Sequence, residues 1–112
     1  MDSPFTAVTG PEEVEQLVAH SARQPVIVFK HDTSCPISRA AYGEMQQLTQ
    51  DVAIIDVAHE KDLSYEIAER MGVKHESPQV LVIHDGHAVW SASHYDITHA
   101  AVAQALVQAQ DR

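Results

Sequence analysis

An α/β fold with a mixed sheet between two layers of helices is predicted by three features of this chain. Two short, largely apolar runs, Val26 to His31 and Val52 to Val57, have the composition of strands buried on both faces. Each is followed by a segment with helical spacing of apolar residues. Two further strand-like runs then flank Asp85-Gly86, a strong hairpin signal.

The elements follow in order. Thr9-Gly10-Pro11-Glu12 reads as a helix start, with Thr9 as cap and Glu12 reaching back, and Val14, Leu17 and Val18 carry the first helix to about Ala22. Pro25 closes the link to the first strand, Val26 to His31. The second helix runs from Pro36 to about Gln50 on a stripe of Ile37, Ala40, Ala41, Met45 and Leu48. After the Val52 to Val57 strand, Asp62 opens a third helix carrying Leu63, Ile67, Ala68 and Met71, and Gly72 closes it. Gln79 to His84 and His87 to Ser91 form the antiparallel hairpin. Asp96 caps a last helix with Ile97, Ala101, Val102, Ala105 and Leu106 on its core face. The order α-β-α-β-α-β-β-α makes a central mixed four-stranded sheet flanked by helices, the thioredoxin-like arrangement, in which a right-handed crossover brings the loop after the first strand to the carboxyl edge.

Composition narrows the function. At 112 residues and 45% apolar, the chain supports one core, so a single domain over 1–112 is expected. No stretch approaches the ~20 apolar residues of a membrane span, and Met1-Asp2-Ser3-Pro4 lacks the basic and apolar parts of a secretory leader, so a cytoplasmic protein with no membrane partner is expected. A net charge of −9 with only seven Lys and Arg argues against nucleic acid. Lys30 and Arg39 flank one segment and Lys74 precedes another, so these charges are either scattered and solvated or form a local positive site.

That segment holds the chain's single cysteine. Cys35 stands where a strand turns into a helix, in Thr33-Ser34-Cys35-Pro36-Ile37-Ser38, and Pro36 at the first helical position makes Cys35 the N-cap. A sulfur there faces unpaired amides and the positive helix end, which favour the thiolate and can lower its pKa below the free value of about 8.5. A lone cysteine is often inert packing, but Thr33, Ser34, Pro36 and Ser38 are turn and cap residues, which favours a surface thiol. One cysteine cannot close an internal disulfide, so any disulfide is formed with another molecule.

The stretch from Phe29 to Ser38 resembles the active-site segment of the monothiol bacilliredoxins, redox proteins of the bacillithiol system, and the similarity extends over nearly the whole chain. Gly72-Val73, Ser77-Pro78 and the run to Asp85-Gly86 are similar to the distal half of thioredoxin-like proteins, where Pro78 matches a cis-proline beside the active cysteine. Asp32 stands where the family usually has Ser, and its carboxylate would oppose a thiolate if it came close. The resemblance implies a thiol-disulfide oxidoreductase that reduces mixed disulfides between bacillithiol and client proteins, with Cys35 taking up the low-molecular-weight thiol. Bacillithiol is then a co-substrate, and neither metal nor other cofactor is expected.

Roles follow residue by residue. Cys35 is the nucleophile, Pro36 is grouped with it as catalytic, and Thr33 is a substrate-binding candidate. Ser38, one turn on, occupies the place of a resolving cysteine; its hydroxyl either donates to the sulfur or is an ordinary helix serine. The Ser77 backbone at Pro78 pairs with an extended thiol substrate if that bond is cis. Lys30, Arg39, Lys74 and His75 are candidates to bind bacillithiol's carboxylates, and His31 either supports the thiolate or packs helix on sheet. Among eight histidines, His84 and His87 flank the hairpin turn and read as exposed rather than as metal ligands; Trp90 reads as core. Two alternatives stand beside this reading. One is a monothiol glutaredoxin-like protein using glutathione or carrying an iron-sulfur cluster, although such carriers have Cys-Gly-Phe-Ser where this chain has Pro36-Ile37; the other is a non-catalytic thioredoxin-fold adaptor.

Overall fold

A computed structural model describes residues 3–110; Met1 and Asp2, part of the start read above for a leader, lie outside it. The elements are β1 (Phe5–Ala7), α1 (Pro11–His20), β2 (Val26–His31), α2 (Pro36–Met45), β3 (Val52–Asp56), α3 (Lys61–Met71), β4 (Gln79–His84), β5 (His87–Ser93), a 3₁₀ turn (His94–Asp96) and α4 (His99–Gln110). They form a five-stranded sheet in the order β1-β3-β2-β4-β5 rather than the four-stranded sheet expected. The added strand, β1, is three residues long and pairs parallel to β3, Phe5 opposite Val52 and Ala7 opposite Ile54. Its own sequence carries too short a pattern to declare a strand; the exposed edge of β3 recruits it.

β2 runs parallel to β3 and antiparallel to β4, so the sheet is mixed. Alternate residues of the central strands feed two cores. Ile27, Phe29, Val52, Val80 and Val82 pack against Ala41 and Met45 of α2 and Val102, Ala105 and Leu106 of α4. Val26, Val28, Ala53, Ile55, Leu81 and Ile83 face Val14 of α1 and Leu63 and Ile67 of α3 on the opposite side. Both faces of the interior strands are therefore covered, as their unbroken apolar runs require. Trp90 on the edge strand β5 is only half-buried, packed against the first of these cores.

Several boundaries differ from the sequence reading, each for a local reason. α1 stops at His20 instead of Ala22, and its start is held by Glu13, not Glu12: the Glu13 carboxylate accepts from the Thr9 amide and hydroxyl at 3.0 and 2.9 Å. α2 ends at Met45, not near Gln50; the apolar stripe continues to Leu48, which stays buried in the turn beyond the helix. Asp96 belongs to the 3₁₀ turn, and Thr98 opens α4 by accepting from the Ala101 amide through Oγ1 at 3.1 Å. The start of α4 is tied to α2 by Glu44, whose Oε1 accepts from the His99 amide and pairs with His99 Nδ1, each at 2.9 Å.

The hairpin turn has φ of 53° at Asp85 and 78° at Gly86, the paired left-handed conformations that suit a two-residue loop. Its tip is pinned to the end of α1: the Asp85 amide donates to the Ser21 carbonyl at 2.9 Å and the Gly86 amide to Ser21 Oγ at 3.0 Å. His87 is exposed as expected, whereas His84 is half-buried.

Candidate active site

The chain leaves β2 at His31 and enters α2 at Pro36 through a tight turn closed by the Cys35 amide donating to the Asp32 carbonyl at 3.1 Å. Cys35 is the N-cap residue, with extended dihedrals of −101° and 123°, and its carbonyl accepts from the Arg39 amide at 3.0 Å. Pro36 follows at the first helical position, where its missing N–H costs nothing. The thiol is half-buried, neither walled into the core nor fully open. Its sulfur makes no hydrogen bond to the first-turn amides, so the helix end acts on it through its dipole instead of through a direct N–H···S contact. Thr33 and Ser34 beside it are exposed.

Asp32 is restrained. Its Oδ1 accepts from the Ser34 amide at 3.0 Å and the Ser34 hydroxyl at 2.7 Å, and these bonds hold its carboxyl below the usual range. The carboxylate is thus engaged by Ser34 within the turn.

Ser38 is fully buried. Its Oγ accepts from the Asp32 amide at 2.8 Å and pairs with His31 Nδ1 at 2.7 Å, which clasps the first turn of α2 to the end of β2. Ser38 is thus a buried clasp rather than an ordinary helix serine, its hydroxyl engaged by His31 and the Asp32 amide rather than by the sulfur, and His31 takes the packing role. His31 also stacks on Phe29, at 5.2 Å between ring centroids, and lies 4.9 Å from Tyr42. Burial pushes its pKa down, against the pull of the Asp56 and Asp32 carboxylates, so the ring is neutral at pH 7.

The Ser77–Pro78 peptide is cis. Lys30 lies opposite Gln79 across β2 and β4, so Pro78, one residue further, stands beside the end of β2 from which the cysteine turn departs. The Pro78 carbonyl accepts from the His94 amide at 3.1 Å, and the 3₁₀ turn that begins at His94 packs on α2. Ser77 Oγ is buried without a partner among the described residues.

The four candidate cationic residues separate. Lys30 does not reach the surface: it is 0% exposed on the α1/α3 face, its Nζ 3.2 Å from His75 Nδ1, and burial pushes its ammonium down to about 8. Its position inside a run buried on both faces explains this, and it corrects the assignment of Lys30 to substrate carboxylates. Gln79, also buried, donates from Nε2 to the Lys74 carbonyl at 2.9 Å, while its Oε1 has no partner among the described residues. His75 is half-buried beside Lys30, whereas Arg39 and Lys74 are exposed.

Sequence reading missed a group on the neighbouring strand. Asp56, opposite His31 in the β2–β3 register, accepts from His59 Nδ1 at 2.8 Å and from the Ala58 amide at 3.1 Å, which holds its carboxyl low. Asp56, His31 and His59, with Glu60, Tyr42 and Thr33, line a cavity of about 470 Å³. A larger hollow of about 570 Å³ lies at the other end of the sheet, against Val26, Ile27 and Asp51, remote from Cys35. Among the described residues no three His, Cys, Asp or Glu side chains gather as metal ligands would, and no helix is long and apolar enough to cross a membrane.

Comparison with solved structures places this geometry. A thioredoxin-fold protein put forward as an oxidoreductase is 34% identical, with a TM-score of 0.83 over 90% of this chain and 92% of that one. A thioredoxin of Nicotiana alata superposes with a TM-score of 0.75 at 16% identity, over 97% and 95% of the two chains. A poplar thioredoxin h mutant gives 0.76 at 16%, over 97% and 84%. These two show the fold alone. The family model of monothiol bacilliredoxin BrxC matches residues 6–102. A thioredoxin-like sheet with one cysteine at the mouth of α2, matched by that model over most of its length, makes this chain a member of the monothiol bacilliredoxin family, with a role in thiol redox chemistry.

Proposed function

We propose that the protein is a monothiol thiol-disulfide oxidoreductase that removes bacillithiol from client proteins. The observation that carries this reading is Cys35, the only cysteine of the chain, half-exposed at the N-cap of α2 beside the cis Ser77–Pro78 segment. The Cys35 thiolate attacks the low-molecular-weight sulfur of a protein mixed disulfide. A Cys35–S–S–R bond forms, the client thiolate leaves and takes a proton from water, and no external oxidant or reductant enters. Ser38 offers no second sulfur, and its hydroxyl is occupied by His31 and the Asp32 amide, so the mixed disulfide persists until another thiol attacks it.

In this reading the Ser77 backbone, turned by its cis bond to Pro78, offers an edge to an extended substrate, Thr33 and Pro36 shape the rim, and exposed Arg39 is available to carboxylates of the incoming thiol. The protein works without metal or resident cofactor, with bacillithiol as co-substrate, in the cytoplasm. Intact mass spectrometry after parallel exposure to bacillithiol disulfide and glutathione disulfide tests it. One bacillithiol adduct is expected at Cys35, formed faster than the glutathione adduct, and Cys35→Ala should abolish debacillithiolation of a modified client. Preferential glutathionylation, or cluster absorbance in the purified protein, would favour the glutaredoxin-like alternative; absence of any adduct would favour the adaptor.

A further inference from the structure

Between the end of α3 and the start of β4, residues 74–77 make no backbone–backbone hydrogen bond among the described residues. Their hold on the strands comes instead from two side chains. Lys30 Nζ lies 3.2 Å from His75 Nδ1, and Gln79 Nε2 donates to the Lys74 carbonyl at 2.9 Å. Lys30 and Gln79 stand directly opposite one another on β2 and β4, and alternation with Val28 and Leu81 puts both on the α1/α3 face. They are 0% and 3% exposed. The segment they grip runs straight into Ser77 and Pro78, beside the end of β2 where the cysteine turn departs.

Packing alone does not account for either residue. A methionine or leucine would fill the same space without burying a polar group, as Val28, Leu81 and Ile83 on that face do. A hydrocarbon could not bond to the segment, however. His75 is set to receive its bond: burial and the charges of Lys30 and Lys61 push its pKa down against the pull of Glu76, so the ring is neutral at pH 7 and Nδ1 accepts while Lys30 donates. The ring also leans on Tyr65 of α3, with centroids 4.5 Å apart.

We propose that Lys30 and Gln79 are positioning residues, which bind residues 74 and 75 from beneath and thereby fix the backbone that Ser77 presents to an extended substrate of Cys35. The proposal rests on the exchange reading above and adds to it the side chains that hold the substrate edge in place. Each acts through the segment rather than on the sulfur. A peptide lying along Ser77 therefore feels their loss, whereas a disulfide too small to reach that backbone does not.

Two reagents that share the half attacked by Cys35 test it: a short extended peptide whose cysteine carries 2-mercaptoethanol as a mixed disulfide, and 2-hydroxyethyl disulfide. In both, the Cys35 thiolate attacks the hydroxyethyl sulfur, a bond between the two sulfurs forms as the reagent's own S–S bond breaks, and the expelled peptide thiolate or 2-mercaptoethanolate takes a proton from water. Adduct growth is followed by intact mass spectrometry, with circular dichroism and urea unfolding alongside, for the wild type, Lys30→Met, Gln79→Leu and the exposed control Glu69→Gln. Lys30→Met and Gln79→Leu should each lower the peptide rate about fivefold relative to the small-disulfide rate, the effect of one hydrogen bond. Lys30→Met should do so while no less stable than the wild type, and Glu69→Gln should leave the ratio unchanged. A residue that only supports the fold would move both rates together. A ratio that stays at the wild-type value in either variant, an equal fall in Glu69→Gln, or failure of both variants to fold would overturn the positioning role while leaving exchange at Cys35 intact. Failure of both reagents to modify wild-type Cys35 would instead remove the exchange reading and this role with it.

Discussion

Replacing Lys30 by methionine should stabilise this protein, and by an amount that depends on pH. The side chain is fully buried, its Nζ has His75 Nδ1 as hydrogen-bond partner, and burial pushes its pKa from 10.5 to about 8. At 1.36 kcal/mol per tenfold change in proton affinity, that displacement amounts to on the order of 3 kcal/mol held against the folded state while the ammonium stays charged. Methionine has a similar length and no charge to bury; the lost bond to His75 returns about 1 kcal/mol, leaving a net gain of roughly 2 kcal/mol at pH 7. Above pH 8 the folded protein releases this proton while the unfolded chain keeps it up to about 10.5. Wild-type stability therefore rises with pH across that window relative to Lys30→Met, since the unfolded state binds more protons there. Urea unfolding of both proteins at several pH values between 7 and 10, read by circular dichroism, gives the difference directly. A difference that stays constant with pH, or a variant less stable than wild type at pH 7, would refute the reasoning and mean that the ammonium is supported in its charged form.

Other perturbations separate clasp from chemistry. Ser38→Ala should leave adduct formation at Cys35 in place while costing about 1–3 kcal/mol in urea unfolding, because the Asp32 amide and His31 Nδ1 lose their shared partner in a buried site; loss of reactivity with unchanged stability would return Ser38 to the chemistry. Gly86→Ala should cost roughly 1 kcal/mol by the same measurement, since φ there is 78° although there is room for a Cβ, the nearest atom being Val18 Cγ1 at 3.9 Å.

What the sequence disclosed was set by how local each signal is. β2, β3 and β4 were readable because interior strands buried on both faces write continuous apolar runs, and the Asp85-Gly86 turn announces itself in two residues. Cys35 at the N-cap was equally local, since Pro36 marks the next position. β1 was not, because three residues become a strand only through the edge of β3. The end of α2 was obscured because Leu48 continues the core stripe without continuing the helix. Lys30 was misplaced because its charge was weighed above its position, although Val28 and Phe29 before it already place both faces in the interior. The cavity of about 470 Å³ needed the register that sets His31 beside Asp56, residues far apart in the chain, and no window of sequence contains both.

The distribution of these exceptions is itself informative. Of the buried side chains within strands, the polar ones are Lys30, His31 and Gln79. All three lie at one end of the sheet, where β2 finishes and β4 begins, and Asp56 ends β3 at the same level. The buried strand residues at the opposite end, among them Val26, Ile27, Val52, Val82 and Ile83, are apolar. Burying an ammonium, an imidazole and an amide, with Gln79 Oε1 left without a partner among the described residues, weakens a core that valine or leucine would strengthen. Sequences depart from consistency with their fold where function demands it. Here the departures converge on the rim that carries Cys35 and Pro78, so the energetics of the sheet point to the same end of the molecule as the chemistry of the thiol.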